Sequence, residues 1–182
     1  DAQGVVASVI CISKEITERK RMEQELQHIS AHDILTGLYN RNFFETEMER
    51  LQLSRLFPIG IVVADADNLK VVNDNYGHAA GDDVIRQVAR LLRESFRAED
   101  IVARIGGDEF AILLPEMDEI AVQALVARLR TKLANLAEPL INLSIGMAIG
   151  EEGCHLPDLM RLADDRMYQD KAGHKKGQIQ TR

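Results

Sequence analysis

The stretch Ile101-Val102-Ala103-Arg104-Ile105-Gly106-Gly107-Asp108-Glu109-Phe110-Ala111-Ile112-Leu113-Leu114 decides how the rest of the chain is read. Two short apolar runs flank a Gly-Gly pair, which is the pattern of a β-hairpin. Glycine reaches positive φ without steric cost and so serves a tight reversal; it also lets a backbone come close to a phosphate. Both uses fit Gly106 and Gly107. Directly after the pair, the acids Asp108 and Glu109 stand at the mouth of an apolar strand.

Toward the N-terminus, residues 59–64 form a continuous apolar run ended by Asp65. Such a run predicts a central strand buried on both faces. A turn at Asp33 to Leu38 leads into a predicted helix over residues 41–56. A polar loop is expected after Asp65, and then Gly81-Asp82 introduces a helix on which Val84, Ile85, Val88, Leu91, Leu92 and Phe96 share one face. Asp82 is expected there as an N-cap. Toward the C-terminus, a helix over residues 118–136 presents Val122, Leu125, Val126, Leu129 and Leu133. A strand over 140–149 and a helix over 156–171 follow, and the last residues read as an edge strand. Strand, helix, hairpin, helix, strand predicts an α+β fold with a largely antiparallel sheet covered by helices.

The 182 residues carry 22 Lys and Arg against 29 Asp and Glu, a formal charge of −7, with 46% hydrophobic residues. That length suits one compact domain with an appendage. No apolar run approaches the roughly 20 residues of a membrane span, so none is expected here. The acidic balance weighs against nucleic-acid binding, which wants a basic face. It suits a divalent cation, because carboxylates are the usual ligands of hard ions. Cys11 and Cys154 make no metal-ligand spacing, which points to a reduced, cytoplasmic setting.

Residues 1–13 contain the β-branched run Val5, Val6, Val9, Ile10 and Ile12, a strand without a partner nearby. Residues 14–31 turn to charged helix formers around Ile16, Met22, Leu26 and Ile29. The last three step by four and three, as in a coiled-coil seam. A solvated connector helix and a dimerising stalk both fit this segment. The globular domain is expected over residues 32–182.

Three acidic pairs stand out, Asp65/Asp67, Asp82/Asp83 and Asp108/Glu109. If the hairpin pairs beside the first strand, Asp65 and Asp108 meet at one end of the sheet. Two such carboxylates repel, and a divalent cation between them removes that cost. Acids at strand ends and turns are also commonly solvated or bonded to the turn, and spacing leaves both readings open. Lys70 lies in the following loop, within reach of a phosphate or of water alone. No Walker loop, complete calcium loop or Gly-x-Ser-x-Gly elbow is present.

Ala103-Arg104-Ile105 followed by Gly106-Gly107-Asp108-Glu109-Phe110 resembles the signature of the GGDEF family of diguanylate cyclases. The likeness extends to Asp33-Ile34-Leu35-Thr36-Gly37-Leu38-Tyr39-Asn40-Arg41, to Asp65-Ala66-Asp67-Asn68-Leu69-Lys70, to Asn73 through His78 with Gly81-Asp82, to Ser144-Ile145-Gly146, and to Ala163 through Lys171. It covers residues 32–181. It implies condensation of two GTP into cyclic di-GMP across a homodimer, on an α+β fold whose central five-stranded, mainly antiparallel sheet is flanked by helices and related to the nucleotide-cyclase core. The resemblance assigns Mg²⁺, with Mn²⁺ as the alternative, to Asp65, Asp108 and the Ala66 carbonyl. Asp108 then helps deprotonate the ribose hydroxyl, assisted by Glu109, and Lys70 stabilises phosphate charge. Asn73, His78 and Asp82 surround the guanine nucleoside, and Lys171 and Lys175 hold the outer phosphates. Arg97 and Asp100 match the family's RxxD product-inhibition site.

Four positions depart from the family pattern. Asn68-Leu69 stands where His-Phe is usual, His174 where Gly is common, and Lys175 where Arg is common. Residues 4–20 resemble the last strand and exit helix of a PAS sensor domain, with Glu15 at a position usually Asp. On that resemblance the chain is a piece of a longer, sensor-driven protein. The reading from another class is a non-catalytic module that binds GTP or cyclic di-GMP and signals to a partner.

Overall fold

A computed structural model describes residues 30–135 and 142–179, with side chains as far as His174. The PAS-like strand and most of the connector helix lie outside the described residues. In chain order the elements are β1 (Tyr39–Asn40), α1 (Arg41–Gln52), β2 (Ile59–Ala66), α2 (Leu69–Tyr76), α3 (His78–Arg93), β3 (Ile101–Arg104), β4 (Glu109–Pro115), α4 (Glu119–Ala134), β5 (Leu143–Gly150) and α5 (Leu156–Ile179). The strands form one sheet in the order β1-β3-β4-β2-β5. Among the described residues the short β1–β3 pairing is parallel, and the β3–β4, β4–β2 and β2–β5 pairings are antiparallel. The α+β fold expected from the sequence is the fold observed.

β2 is central and buried along its whole length. Because strand side chains alternate between faces, Val62, Ala64 and Ala66 join the core under α3 and α4. Ile59, Ile61 and Val63 join the one formed with α1 and α5. By the same parity, Asp65 and Asp67 fall on the α1/α5 side. The β3–β4 hairpin pairs Ile101 with Leu113 and Arg104 with Phe110, so Ile105 to Asp108 form its loop. The apolar faces read from the sequence are buried, with Val84, Ile85, Val88, Leu91 and Leu92 on α3 and Val122, Leu125, Val126 and Leu129 on α4.

Three expectations are corrected. The polar stretch after Asp65 is helical over α2, because Leu69 and Val72 pack on the core. That helix starts from Asn68 in the left-handed conformation, φ 61°. Asn tolerates that region far better than most residues, a local reason for its presence there. Second, α3 begins at His78 behind Gly77 at φ 84°, so Asp82 lies inside the helix and does not cap it. Third, the chain remains helical to Ile179 where an edge strand was expected, and residues 180–182 lie outside the described residues. Among the described residues no helix is long and apolar enough to cross a membrane.

Candidate functional site

The register of the sheet assembles the site. Asp65 sits opposite Glu109 on one neighbour and Ser144 on the other. The Ala66 amide donates to the Asp108 carbonyl at 2.9 Å, and the Asp67 amide to the Asn142 carbonyl at 2.9 Å. The hairpin loop and the end of β2 are thereby tied together, which is the juxtaposition that the sequence left conditional.

Asp65 is buried, and burial is the main reason its pKa lies above the ordinary carboxylate value. The charges of Asp108 and Asp67 push it the same way, while a 2.6 Å bond from the Lys171 ammonium pulls it back. Burial alone would lower the pKa of Lys171, but Asp65, Asp108 and Asp67 together raise it. The negative charge is therefore crowded and only partly balanced. Among the described residues no three His, Cys, Asp or Glu side chains converge as a ready-made metal cage. A hard dication such as Mg²⁺ needs only one or two carboxylates, completing its shell with carbonyl, water or phosphate oxygens. Asp65, Asp108 and the Ala66 carbonyl fit that donor set.

The remaining predicted residues fall around this point. Glu109 folds over Gly106, where an added methyl would collide with its carboxylate. Asn68 and Lys70 are exposed at the start of α2, whose N-terminus carries no side-chain cap, and Leu69 is half-buried. Free amides at a helix start are suited to phosphate oxygens. Asn73 on α2 presses its carboxamide oxygen against Gly81 of α3, buried and without a hydrogen-bond partner. Asp82 and His78 are exposed nearby in sequence on α3. The side chain of Lys175 lies outside the described residues.

Arg97 and Asp100 do not form a direct side-chain pair. Asp100 is buried and accepts the Arg97 amide on one oxygen at 2.7 Å, while its other oxygen has no partner. Burial raises its pKa. The Arg97 guanidinium is exposed, 4.0 Å from Glu99. Both residues line a cleft of about 510 Å³ together with His32, Gly37, Tyr39 and Arg93.

Two connections were not read from the sequence. Arg104 reaches both carboxylate oxygens of Asp33 at 3.2 and 3.3 Å and the Gly107 carbonyl at 2.7 Å. Burial works to raise the Asp33 pKa, but bonds from Thr36 and Arg104 outweigh it and hold it below the ordinary value. The opening turn therefore braces the glycine loop. The second connection involves Asp67, which is buried. It accepts from Ser144 Oγ at 2.7 Å and meets His174 Nδ1 at 3.0 Å. Asp67 and Ser144 both occur in the quoted motifs, but neither had a role attached.

The family model described as diguanylate cyclase, GGDEF domain, matches residues 30–177. The chain is 36% identical over 169 residues to the diguanylate cyclase DgcM of Escherichia coli K12, covering 90% of this chain and 41% of that protein. It is 33% identical over 172 residues to the cyclic di-GMP phosphodiesterase PdeR of the same strain, covering 91% of this chain and 26% of that protein. The chain thus spans less than half the length of these curated relatives. The crystal structure of the coiled coil and GGDEF domain of DgcB from Caulobacter crescentus, in complex with c-di-GMP, matches with a TM-score of 0.84 at 27% identity, covering 93% of this chain and 95% of that one. With the signature loop, the fold and the family match in agreement, the chain belongs to the GGDEF family of diguanylate cyclase domains.

Proposed function

We propose that this domain condenses two GTP into cyclic di-GMP with release of two pyrophosphates, each domain of a two-fold dimer holding one GTP. The observation that carries this reading is the crowded, partly balanced carboxylate pair Asp65 and Asp108 at the end of β2, with Lys171 beside it. Mg²⁺, or Mn²⁺ in its place, bound by Asp65, Asp108 and the Ala66 carbonyl, would acidify the ribose 3′-hydroxyl and neutralise charge on the α-phosphate and leaving pyrophosphate. Asp108 accepts the 3′-hydroxyl proton as that oxygen attacks the α-phosphorus of the facing GTP, and Glu109 supports it. Lys70 balances charge on the reacting phosphate, and Lys171 and Lys175 hold the β- and γ-phosphates. Asn73, His78 and Asp82 take the guanine nucleoside. The Asn73 carboxamide oxygen has no hydrogen-bond partner, so turning it toward a guanine breaks no bond at that atom.

Two half-sites must face each other, which a two-fold dimer does most simply. An upstream PAS sensor, acting through residues 14–31, would control that encounter. Relatives of similar identity are named both a cyclase and a phosphodiesterase, so the reading rests on the site residues rather than on kinship alone. Incubation with GTP and Mg²⁺ at high protein concentration tests it. The expected product is cyclic di-GMP, absent when EDTA removes the metal. GTP binding without product, even in a fusion that enforces dimerisation, would favour a non-catalytic nucleotide-binding module.

Product inhibition is proposed at the cleft of Arg97 and Asp100. The exposed guanidinium suits a phosphate or guanine face, and the Asp100 oxygen that has no partner would accept from a guanine donor edge once turned toward the cleft. Arg97→Ala is expected to weaken inhibition by cyclic di-GMP by about 30-fold or more, the loss of a charge-assisted contact. Turnover at low product concentration should stay within about twofold, because the cleft lies away from the carboxylates.

A further inference from the structure

Asp170, Lys171 and His174 lie within about one turn of α5, and each reaches the sheet. Asp170 accepts the Ile145 amide of β5 at 2.9 Å and is held by Arg130 at 2.9 Å. Lys171 meets Asp65 at 2.6 Å, and His174 meets Asp67 at 3.0 Å. The match is geometric. Helix positions i and i+3 face one way, as do strand positions i and i+2, so Lys171/His174 on the helix meets Asp65/Asp67 on the strand as two parallel rungs.

The second rung is well supported. Ser144 Oγ is buried and donates to the free oxygen of Asp67 at 2.7 Å, and Asn142 lies 3.1 Å from His174 Nδ1. A carboxylate only accepts, so Nδ1 carries the proton toward Asp67, and Asn142 Nδ2 and Ser144 Oγ pack beside that bond, 3.1 and 3.3 Å from the ring nitrogen. His174 Nε2 is 3.9 Å from Asp170. Ser144, His174 and Asp67 do not make a nucleophilic triad, because the serine proton is given to the aspartate and its oxygen is sealed from solvent.

The two rungs differ in what a bound substrate does to them. The Lys171 rung ends on Asp65, which the proposed metal claims; the ammonium must then turn to the outer phosphates. The His174 rung ends on Asp67, whose carboxylate is committed to Ser144 and His174. We infer that His174 is a positioning residue, a latch that holds the last turns of α5 on the strand end while Lys171 exchanges Asp65 for the phosphates of GTP. This inference rests on the cyclase reading for the destination of Lys171, but the latch itself is a property of the ligand-free chain. It also gives a role to a departure from the family pattern, in which a Gly would leave only the first rung.

The test compares His174→Ala, which removes the rung, with His174→Gln, which keeps a side-chain donor. In metal-free protein, amide hydrogen exchange over residues 168–174 is expected to speed up about tenfold in the alanine variant and to return close to the parent in the glutamine variant. With GTP and Mg²⁺, the alanine variant should show KM for GTP raised about tenfold at a kcat within about twofold, again restored by glutamine. Exchange unchanged by His174→Ala overturns the latch, whatever the product analysis shows. Faster exchange with an equal fall in kcat and kcat/KM overturns the positioning role. If the parent makes no cyclic di-GMP, the cyclase reading fails separately, and the same split is then read as the GTP dissociation constant by titration. Tenfold weaker binding in the alanine variant, rescued by glutamine, supports the latch, and unchanged binding overturns it.

Discussion

Asp65→Asn is expected to lower cyclic di-GMP formation by about 10³-fold or more while leaving a folded protein. The substitution keeps the shape of the side chain and removes the charge. In the metal-free state that charge is a liability, because burial and the neighbouring charges of Asp108 and Asp67 hold its pKa above the ordinary carboxylate value. A carboxyl whose pKa is raised by folding binds its proton more tightly in the native state. Its ionised form therefore destabilises the native protein at neutral pH, and stability is regained as pH falls through the native pKa toward the unfolded one. The asparagine variant should lose that acid-side gain. Added Mg²⁺ should raise the melting temperature of the parent, since a ligand that binds only the native state stabilises it, and should not raise that of the variant. Lys171 has a route out of the lost pair, being partly exposed with 26% of its side chain accessible, so the variant is not left with a trapped charge. Asp108→Ala should abolish product as completely. Asp108 shows its backbone carbonyl to Ala66, and that bond survives the change, so the hairpin stays tied to β2. Product at parental levels from either variant would remove these carboxylates from the chemistry.

The parts of this molecule that were legible in its sequence are those held by apolar periodicity. β2 shows as an unbroken apolar run because both faces are covered, and α3 and α4 show as stripes because one face of each is buried. The short helix α2 was illegible. Over eight residues, with Lys70, Asn73, Asp74 and Asn75 among them, the buried Val72 and half-buried Leu69 make no countable period. The last turns of α5 were misread for a different reason. What fastens them is a pair of side-chain bonds across 106 and 107 residues, and no local pattern carries that information. The site divides in the same way. That Asp65 and Asp108 carry the signature was readable from motif order, but their meeting depended on the strand register, and the brace from Asp33 to Arg104 spans 71 residues. Asp100 offers a further contrast. The RxxD match named it with Arg97 but carried no geometry; in the fold one carboxylate oxygen accepts the Arg97 amide while the guanidinium stays in solvent.

Gly146→Ala is expected to be the most destabilising single methyl in the described part of the chain. At Gly146 on β5 an added Cβ would collide with the Ala163 carbonyl oxygen and the Met167 amide nitrogen of α5. Both are backbone atoms, so no rotamer change relieves the clash; the helix must lift or the strand must buckle. Overpacking of this kind costs about 3 kcal/mol or somewhat more, which corresponds to a fall of roughly 10 °C in melting temperature for a domain of this size. The effect should also reach the chemistry, because the same helix carries Lys171, whose bond to Asp65 is 2.6 Å. A lifted α5 draws the ammonium away from the carboxylates, so KM for GTP should rise in whatever fraction remains folded. Gly107→Ala is the stability control. Its Cβ meets nothing within 4 Å, and its melting temperature should stay within about 2 °C of the parent, a change of about 0.5 kcal/mol or less. Urea unfolding of the two variants beside the parent separates the outcomes. If Gly146→Ala unfolds at the parental midpoint with unchanged slope, β5 and α5 do not pack backbone to backbone, and the placement of Lys171 against Asp65 loses its structural footing.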